Sequence, residues 1–503
     1  MNNSILLTLL CLLSVLGSDA FAADPMTGSA TPQVSPSTPE QGGAAANRSA
    51  GAGPLSVCPA NPRYFADGSG RAIYLTGSHT WANFATDQGS NDPPAPFDYD
   101  GYLDLLVAHH HNFFRGWVWD LAYSVEGSNG GPFRWSPFPW QRTGPGEATD
   151  GRPKFDLTKY DPAYFERLRT RVQAARDRGI YVAVMLFQAY ALQFNRHDKD
   201  GYPLDGRNNI NDIDAGTGHD ANTLRIAAVT AKQEEYVRKV IDTVNDLDNV
   251  LYEIANEGGA DSTEWQYHLI DFIHRYERTK PKQHPVGMTF QYRGGTNATL
   301  FASPADWISP QCSDGYVKDP VPADGRKVMI IDTDHGYGWQ TLKQHGPAAQ
   351  QAWVWKNFAR GNQTLFMDPY LAKIPGRNEP VGTNPREPYF GVRPDPYWDP
   401  LRVAMGRART YAEKMNLAAT VPHNDLASTG YCLAHPGHEY LVYYPSGAGS
   451  FTVTLVAGRY AFEWYDPTAG KVVVRGNLAA AEGARTFPVP VDGDAVLFLS
   501  KSN

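Results

Sequence analysis

Cysteine is scarce: there are 4 in 503 residues. Cys11 lies in an apolar N-terminal segment, which leaves Cys58, Cys312 and Cys432 for the folded chain. That is too few for a disulfide framework, and the spacings match no zinc pattern. One bridge beside a free thiol is allowed, but the sequence does not choose the pair. No His-Glu-x-x-His occurs, so that route to zinc hydrolysis has no support. The chain has no Lys/Arg run and a formal charge of -8, so electrostatics gives no reason to expect nucleic acid. Beyond the N-terminus no apolar run is long enough to span a bilayer. No Gly-rich phosphate turn follows the first expected strand, which counts against a doubly wound nucleotide-binding sheet.

Residues 5–17 are apolar but short for a membrane span, and Ala20-Phe21-Ala22 supplies the small-x-small pattern of signal-peptide cleavage. Residues 1–22 are therefore read as a signal peptide, although Met1 to Ser4 carry no Lys or Arg. Leu10 before Cys11 argues against a lipoprotein cysteine. The expected location is secreted or periplasmic, with no membrane attachment after signal removal. Residues 23–57 are rich in Ala, Gly, Ser, Pro and Thr and lack core-forming side chains, so a flexible linker is expected.

Aromatic residues are plentiful, with 12 Trp and 27 Tyr, which serve cores and sugar-binding faces equally well. From residue 58 apolar strands alternate with helical patterns. Strands are expected at 72–77, 112–119, 179–187, 249–257, 285–292, 306–309, 327–332 and 364–368. Helices are expected at 164–178, 223–245, 264–276 and 348–360. Continuous apolar strands covered by helices mean a parallel sheet, and eight such units imply a (β/α)8 TIM barrel over 58–417. After 417 short strands at 440–444, 450–455, 460–465, 471–474 and 495–499, separated by Gly/Pro/Asp turns, imply a small antiparallel β-sandwich over 418–503.

Barrel chemistry sits at the C-terminal ends of the strands. There the sequence places His79 and Trp81, Arg115 with Trp119 and Asp120, Gln188, Asn256-Glu257, Tyr292, and Asp332 with Asp334 and His335. The run His109-His110-His111 falls at the opposite rim and reads as surface or helix-end histidine, not a metal set. The loops 81–99, 119–160 and 188–223 are long and aromatic, and Phe133, Trp135, Phe138 and Trp140 are candidate cleft walls. Two carboxylates facing each other across the mouth are the minimal equipment for cleaving a glycosidic bond. Glu257 ends the fourth strand. Asp332 ends the seventh and is the first choice of nucleophile, with Asp334 the second. Either Asp could instead cap the turn that follows.

Asn256-Glu257 at the end of strand four resembles the acid/base motif of clan A glycoside hydrolases, which are retaining (β/α)8 enzymes. Arg63-Tyr64-Phe65 with Asp67-Gly68, Phe155-Asp156-Leu157 with Tyr160, Asp332-Thr333-Asp334-His335, and Phe366-Met367-Asp368-Pro369-Tyr370 resemble a bacterial group of cellulase-like or apiosidase-like hydrolases. Tyr440 to Tyr444 and Trp464-Tyr465-Asp466-Pro467 resemble the C-terminal sandwich of that group, a type named collagen-binding. The resemblance implies Glu257 as acid/base, Asn256 near the sugar 2-hydroxyl, a carbohydrate substrate, and no metal or organic cofactor. Clan A carries a Glu nucleophile where this chain has Asp332. The shorter side chain leaves the nucleophile, and retention against inversion, open. A non-catalytic carbohydrate-binding protein on the same scaffold, and an adhesion module working through the sandwich, are the alternative functions.

Overall fold

The unbroken apolar runs form one parallel sheet of eight strands. They are β1 (Thr76–His79), β2 (Phe113–Gly116), β3 (Tyr181–Gln188), β4 (Val250–Asn256), β5 (Val286–Thr289), β6 (Trp307–Ser309), β7 (Val328–Asp332) and β8 (Gln363–Met367). The order around the sheet is β1-β8-β7-β6-β5-β4-β3-β2, parallel throughout. β1 and β2 close the ring through Asn112. Its backbone N–H donates to the Thr76 carbonyl at 2.9 Å, and its side-chain oxygen accepts from the Thr76 N–H at 3.0 Å. In the computed structural model the described residues are 53–502, except 81–83, 85–86, 90–92, 95, 125–132, 191, 193–200, 217–218, 312–323, 336–337, 369–393, 446 and 448. The expected signal peptide, nearly all of the expected linker, Trp81 and Cys312 lie outside the described residues.

Helices cover the sheet: α1 (Tyr99–Ala108), α2 (Pro162–Asp177), α3 (Ala227–Val244), α4 (Thr263–Glu277), α5 (Asn297–Ala302), α6 (Gly338–Ala359) and α7 (Asp399–Lys414). Their starts follow from local chemistry. The Asp161 carboxylate accepts from the Ala163 N–H at 3.0 Å and Pro162 opens α2, which removes one donor that the first turn could not satisfy. α6 is kinked where Gly346, at φ 77°, precedes Pro347. Among the described residues no helix is long and apolar enough to cross a membrane.

The barrel interior divides into two layers. Its N-terminal end is apolar, with Leu75, Phe113, Leu251, Trp307, Ile330 and Leu365 buried together, and Leu55 and Phe65 close the floor. Toward the C-terminal end the lining turns polar: Arg115, Glu253, Asp332 and His79 are all buried. One glycine makes the lower layer possible. A Cβ on Gly287 of β5 would stand 1.9 Å from Cε2 of Trp307 on β6. Neither strand can yield, since Gly287 is paired on both sides. Gly287→Ala is expected to cost about 1–3 kcal/mol or more of stability, the range for overpacking a rigid core. A urea midpoint equal to that of wild type would refute this packing.

The expected long loop 119–160 is largely built into hairpins instead. Trp140–Glu147 pairs antiparallel with Pro153–Tyr160, and Phe133–Ser136 pairs with Asp87–Gly89 and Tyr123–Ser124. Buried Phe155 and Leu157 anchor the first hairpin, and left-handed Gly144, Gly146 and Gly151 allow it to turn. The three histidines go to separate partners: His109 to the Leu105 carbonyl (2.9 Å), His110 to Glu413 (3.0 Å) and His111 to the Arg402 carbonyl (3.0 Å).

The C-terminal part is antiparallel. β9 (Cys432–His435), β10 (Glu439–Tyr444), β12 (Gly458–Asp466), β13 (Lys471–Ala480) and β15 (Ala495–Lys501) form one sheet with the short strand Val421–Pro422. β11 (Ser450–Leu455) and β14 (Gly483–Pro488) form the second layer, and the two share a buried core that includes Phe451, Trp464 and Phe487. The strands β9 and β14 were not anticipated. Both are short, and β14 has only one buried residue, Phe487, among exposed ones. An aromatic cluster ties this sandwich to the barrel: Trp355 of α6 and Tyr411 of α7 meet Tyr465 of β12 at 5.6 and 5.8 Å between ring centroids. Cys58 and Cys432 are separate buried thiols.

Candidate active site

The polar layer is organised by Arg115, which rises from β2 into the barrel and is wholly buried. A guanidinium has five N–H groups in a rigid fork, and here all five find acceptors. Nε donates to Glu253 Oε2 at 2.8 Å. Nη2 donates to Glu253 Oε1 at 2.5 Å and to Asn256 Oδ1 at 2.7 Å. Nη1 donates to Asp332 Oδ2 and Asp334 Oδ2, each at 2.9 Å. One side chain thus holds the ends of β4 and β7 together across the barrel. The guanidinium also lies 5.2 Å from the Trp117 ring centroid, and the His79 ring stacks on the same indole at 5.5 Å.

Asp332 and Asp334 are brought together, but not by strand alternation. β7 ends at Asp332, and Asp334 stands in the 3-10 turn Thr333–His335. Asp332 is fully buried. Its Oδ2 takes bonds from Arg115 and from His79 Nε2, both at 2.9 Å, while Oδ1 accepts the Asp334 N–H at 3.0 Å. Asp332 therefore also caps the turn. Burial alone would raise its pKa, but His79 and Arg115 outweigh that and hold the carboxyl well below the usual range. Asp334 spends Oδ2 on Arg115, and among the described residues no hydrogen bond reaches its Oδ1. Its side chain keeps 8% exposure where that of Asp332 keeps 0%. Burial lifts Asp334 to about 6, Arg115 opposing and Asp332 adding to the rise.

Glu257 follows β4 directly and is half-buried. Its φ of 46° is left-handed, a conformation that costs a non-glycine residue roughly 1–3 kcal/mol and that the surrounding structure must impose. Burial raises its pKa well above the ordinary carboxylate range, the Asp334 charge adds to this, Arg115 opposes it and Asp332 adds again. Asn256 is buried, with Oδ1 held by Arg115 and Nδ2 3.4 Å from Gln188 Oε1. His335 is buried, and its Nδ1 lies 2.7 Å from Ser309 Oγ. Burial, with Arg115 next, lowers the His335 pKa to about 3, which keeps the imidazole neutral beside Asp334.

The remaining expected residues spread around the mouth. Trp119 is half-buried and tilts against buried Trp135 at 5.0 Å. Asp120, lifted to about 8 by burial, accepts the Gln188 N–H at 2.9 Å and lines a cavity with Trp119, Phe138, Trp140, Tyr202 and Tyr236. Tyr292, after β5, stands exposed. Two partners were missed by sequence reading. Glu253 is a carboxylate inside an apolar strand, which is itself a signal that a buried cation must meet it. Trp117 carries no comparable sign. The described residues hold no cluster of His, Cys, Asp and Glu suited to a metal ion.

Comparison with known proteins places this architecture. A model for a domain of unknown function, DUF6298, matches residues 126–292, the stretch that carries Gln188, Asn256, Glu257 and Tyr292. No curated protein matches the sequence. Among solved structures, a glycoside hydrolase superposes with a TM-score of 0.57 at 13% identity, covering 90% of this chain and 97% of its own. A glycoside hydrolase family 5 protein from Bacteroides vulgatus ATCC 8482 superposes with a TM-score of 0.59 at 15% identity, covering 89% of this chain and 94% of its own. At such identities the likeness is one of fold, and the (β/α)8 barrel followed by a sandwich is the fold the chain shares with these hydrolases.

Proposed function

We propose that this chain is an exported glycoside hydrolase that cleaves O-glycosidic bonds of an oligo- or polysaccharide with retention, using Glu257 as acid/base and Asp334 as nucleophile. The observation that carries the reading is the pair itself: Glu257, directly after β4, with its pKa raised by burial, and Asp334, in the turn after β7, anchored on Arg115 through one oxygen, both at the C-terminal rim of the barrel. Two carboxyls at one rim of the barrel are the equipment for glycoside cleavage, and the nucleophile needs an oxygen left available to the anomeric carbon, which Asp334 Oδ1 offers. Export rests on the apolar segment 5–17 and Ala20-Phe21-Ala22.

In the first step Oδ1 of Asp334 bonds to the anomeric carbon as the bond to the leaving oxygen breaks, and Glu257 gives its proton to that oxygen. In the second, water attacks the anomeric carbon and loses a proton to the Glu257 carboxylate, and Asp334 departs. Retention requires the two carboxyls to be close, about 5–5.5 Å apart. Asp332, with both oxygens engaged, supports the site by fixing Arg115, His79 and the turn.

Paired substitutions test the assignment. Asp334→Asn is expected to abolish turnover on a panel of plant and bacterial polysaccharides and aryl glycosides while lowering the urea midpoint less than Asp332→Asn does, because Asp334 makes one bond to Arg115 where Asp332 also holds His79 and the turn. Asp332→Asn is expected to lower the midpoint, because it weakens a buried charged network. An active Asp334→Asn beside a stable, inactive Asp332→Asn would transfer the nucleophile to Asp332. Proton NMR of the first sugar released reports its anomer, and an inverted product would refute retention.

A further inference from the structure

We propose that Tyr190 and Tyr292 form a leaving-group subsite, an aromatic platform for the ring of the departing sugar or aglycone; this rests on the hydrolase reading above. Tyr292 is 53% exposed, and the other large apolar side chains counted as exposed among the described residues are Val and Leu. The strand end beneath it is closed, with Phe290 and Gln291 buried. Tyr190 follows β3, and its N–H is held by Gln188 Oε1 at 2.9 Å. The two rings meet edge to face, centroids 5.9 Å apart and planes at 65°.

Their position relative to Glu257 follows from sheet geometry. β3 and β5 flank β4. Adjacent strands are about 4.8 Å apart, so second neighbours stand roughly 9.6 Å apart. Rings that approach to 5.9 Å from those two strands lean toward each other over the end of β4, where Glu257 emerges. The loop carrying Tyr292 is also braced to the loop carrying Glu257. Gln291 Nε2 donates to the Gly259 carbonyl at 2.9 Å and to Thr263 Oγ1 at 3.0 Å, and the Ala260 N–H donates to the Arg293 carbonyl at 2.8 Å.

The chemistry then decides which part of the substrate the platform meets. A general acid delivers its proton to the glycosidic oxygen, so the group beside it is the one that departs. The ring whose anomeric carbon reacts lies toward Asp334, after β7 across the mouth. A pyranose offers a C–H face and an aryl aglycone a flat apolar face, and either packs on an aromatic ring. The ligand class is therefore a leaving group with a ring, not a small or linear alcohol.

A matched pair of substrates tests this. One is the 4-nitrophenyl β-glycoside and the other the β-glycosyl fluoride of the same sugar, taken from glucose, galactose, mannose and xylose. Fluoride leaves without a ring to stack and without a proton from Glu257. In Tyr292→Ala the loss of kcat/KM on the nitrophenyl glycoside is expected to exceed the loss on the fluoride by about two- to tenfold, the factor of one aromatic contact. Tyr292→Phe, which keeps the ring, is expected to restore the wild-type ratio. Equal losses on both substrates, or none on either, would overturn the subsite. A wild-type enzyme that releases neither nitrophenol nor fluoride from these sugars and also cleaves nothing on the panel of polysaccharides and aryl glycosides would overturn the hydrolase reading, and the subsite with it.

Discussion

Glu257→Gln is expected to lower kcat/KM on an unactivated glycoside by about 10²–10⁴-fold, the span of a positioned general acid. The loss should shrink as the leaving group improves, because a 2,4-dinitrophenolate departs without being protonated. The pH profile carries the same assignment. Glu257 acts only while protonated, and burial, with the charge of Asp334, raises its pKa. Wild-type activity should therefore fall as the pH rises through that raised value. On the acid side it should fall as Asp334 takes up a proton and ceases to be a nucleophile. The two limbs belong to the coupled pair rather than to either residue alone. Glu257→Gln should flatten the alkaline limb and keep the acid one. An unchanged rate on unactivated substrates, or an alkaline limb that survives the substitution, would remove Glu257 from the acid role.

Arg115→Met carries the largest expected effect on stability. Glu253 and Asp332 have side chains 0% exposed and share this one guanidinium. Removing one partner of a buried pair costs about 3–5 kcal/mol, because the other charge stays buried without compensation. Arg115→Lys is expected to recover only part of it, since an ammonium has three donors and no planar fork to serve Glu253, Asn256, Asp332 and Asp334 together. Arg115→Met combined with Glu253→Gln should cost less than the sum of the single changes, as expected for residues in direct contact. Strict additivity in urea midpoints would refute the pairing. The cluster also sets an acid limit. Asp332 is held below its unfolded value, so its contribution is present above an unfolded pKa of about 4 and is lost as the pH falls toward the folded value.

Several strand ends were read further than they run. The stretch 285–292 forms a strand only over Val286–Thr289, and 112–119 only over Phe113–Gly116. Apolar residues continue past the last ladder bond in both, because the barrel mouth is itself lined with buried rings such as Phe290, Trp117 and Val118. Periodicity reports burial, and burial outlasts the ladder here. The hairpins within 119–160 were hidden for the opposite reason, since Gly and Pro interrupt the alternation that would have announced them.

Legible in the sequence alone were the order of the barrel strands, four of the seven helices among the described residues (α1, α5 and α7 were not anticipated), the change to antiparallel strands after the barrel, and the carboxylate at the end of β4. These are local facts. A strand buried on both faces must be apolar along its length, and a polar pair ending such a run is visible within a few residues. Which carboxylates meet was decided only by the tertiary structure. Glu253 and Asp332 lie 138 and 217 residues along the chain from the Arg115 guanidinium they share, and closure of the ring brings their strands together. The preference for Asp334 over Asp332 turns on the 3-10 turn after β7, which leaves one carboxylate facing the mouth while His79, Arg115 and a backbone N–H engage the other. No spacing along the chain encodes that difference, because it depends on where three strands point their side chains once the barrel has closed.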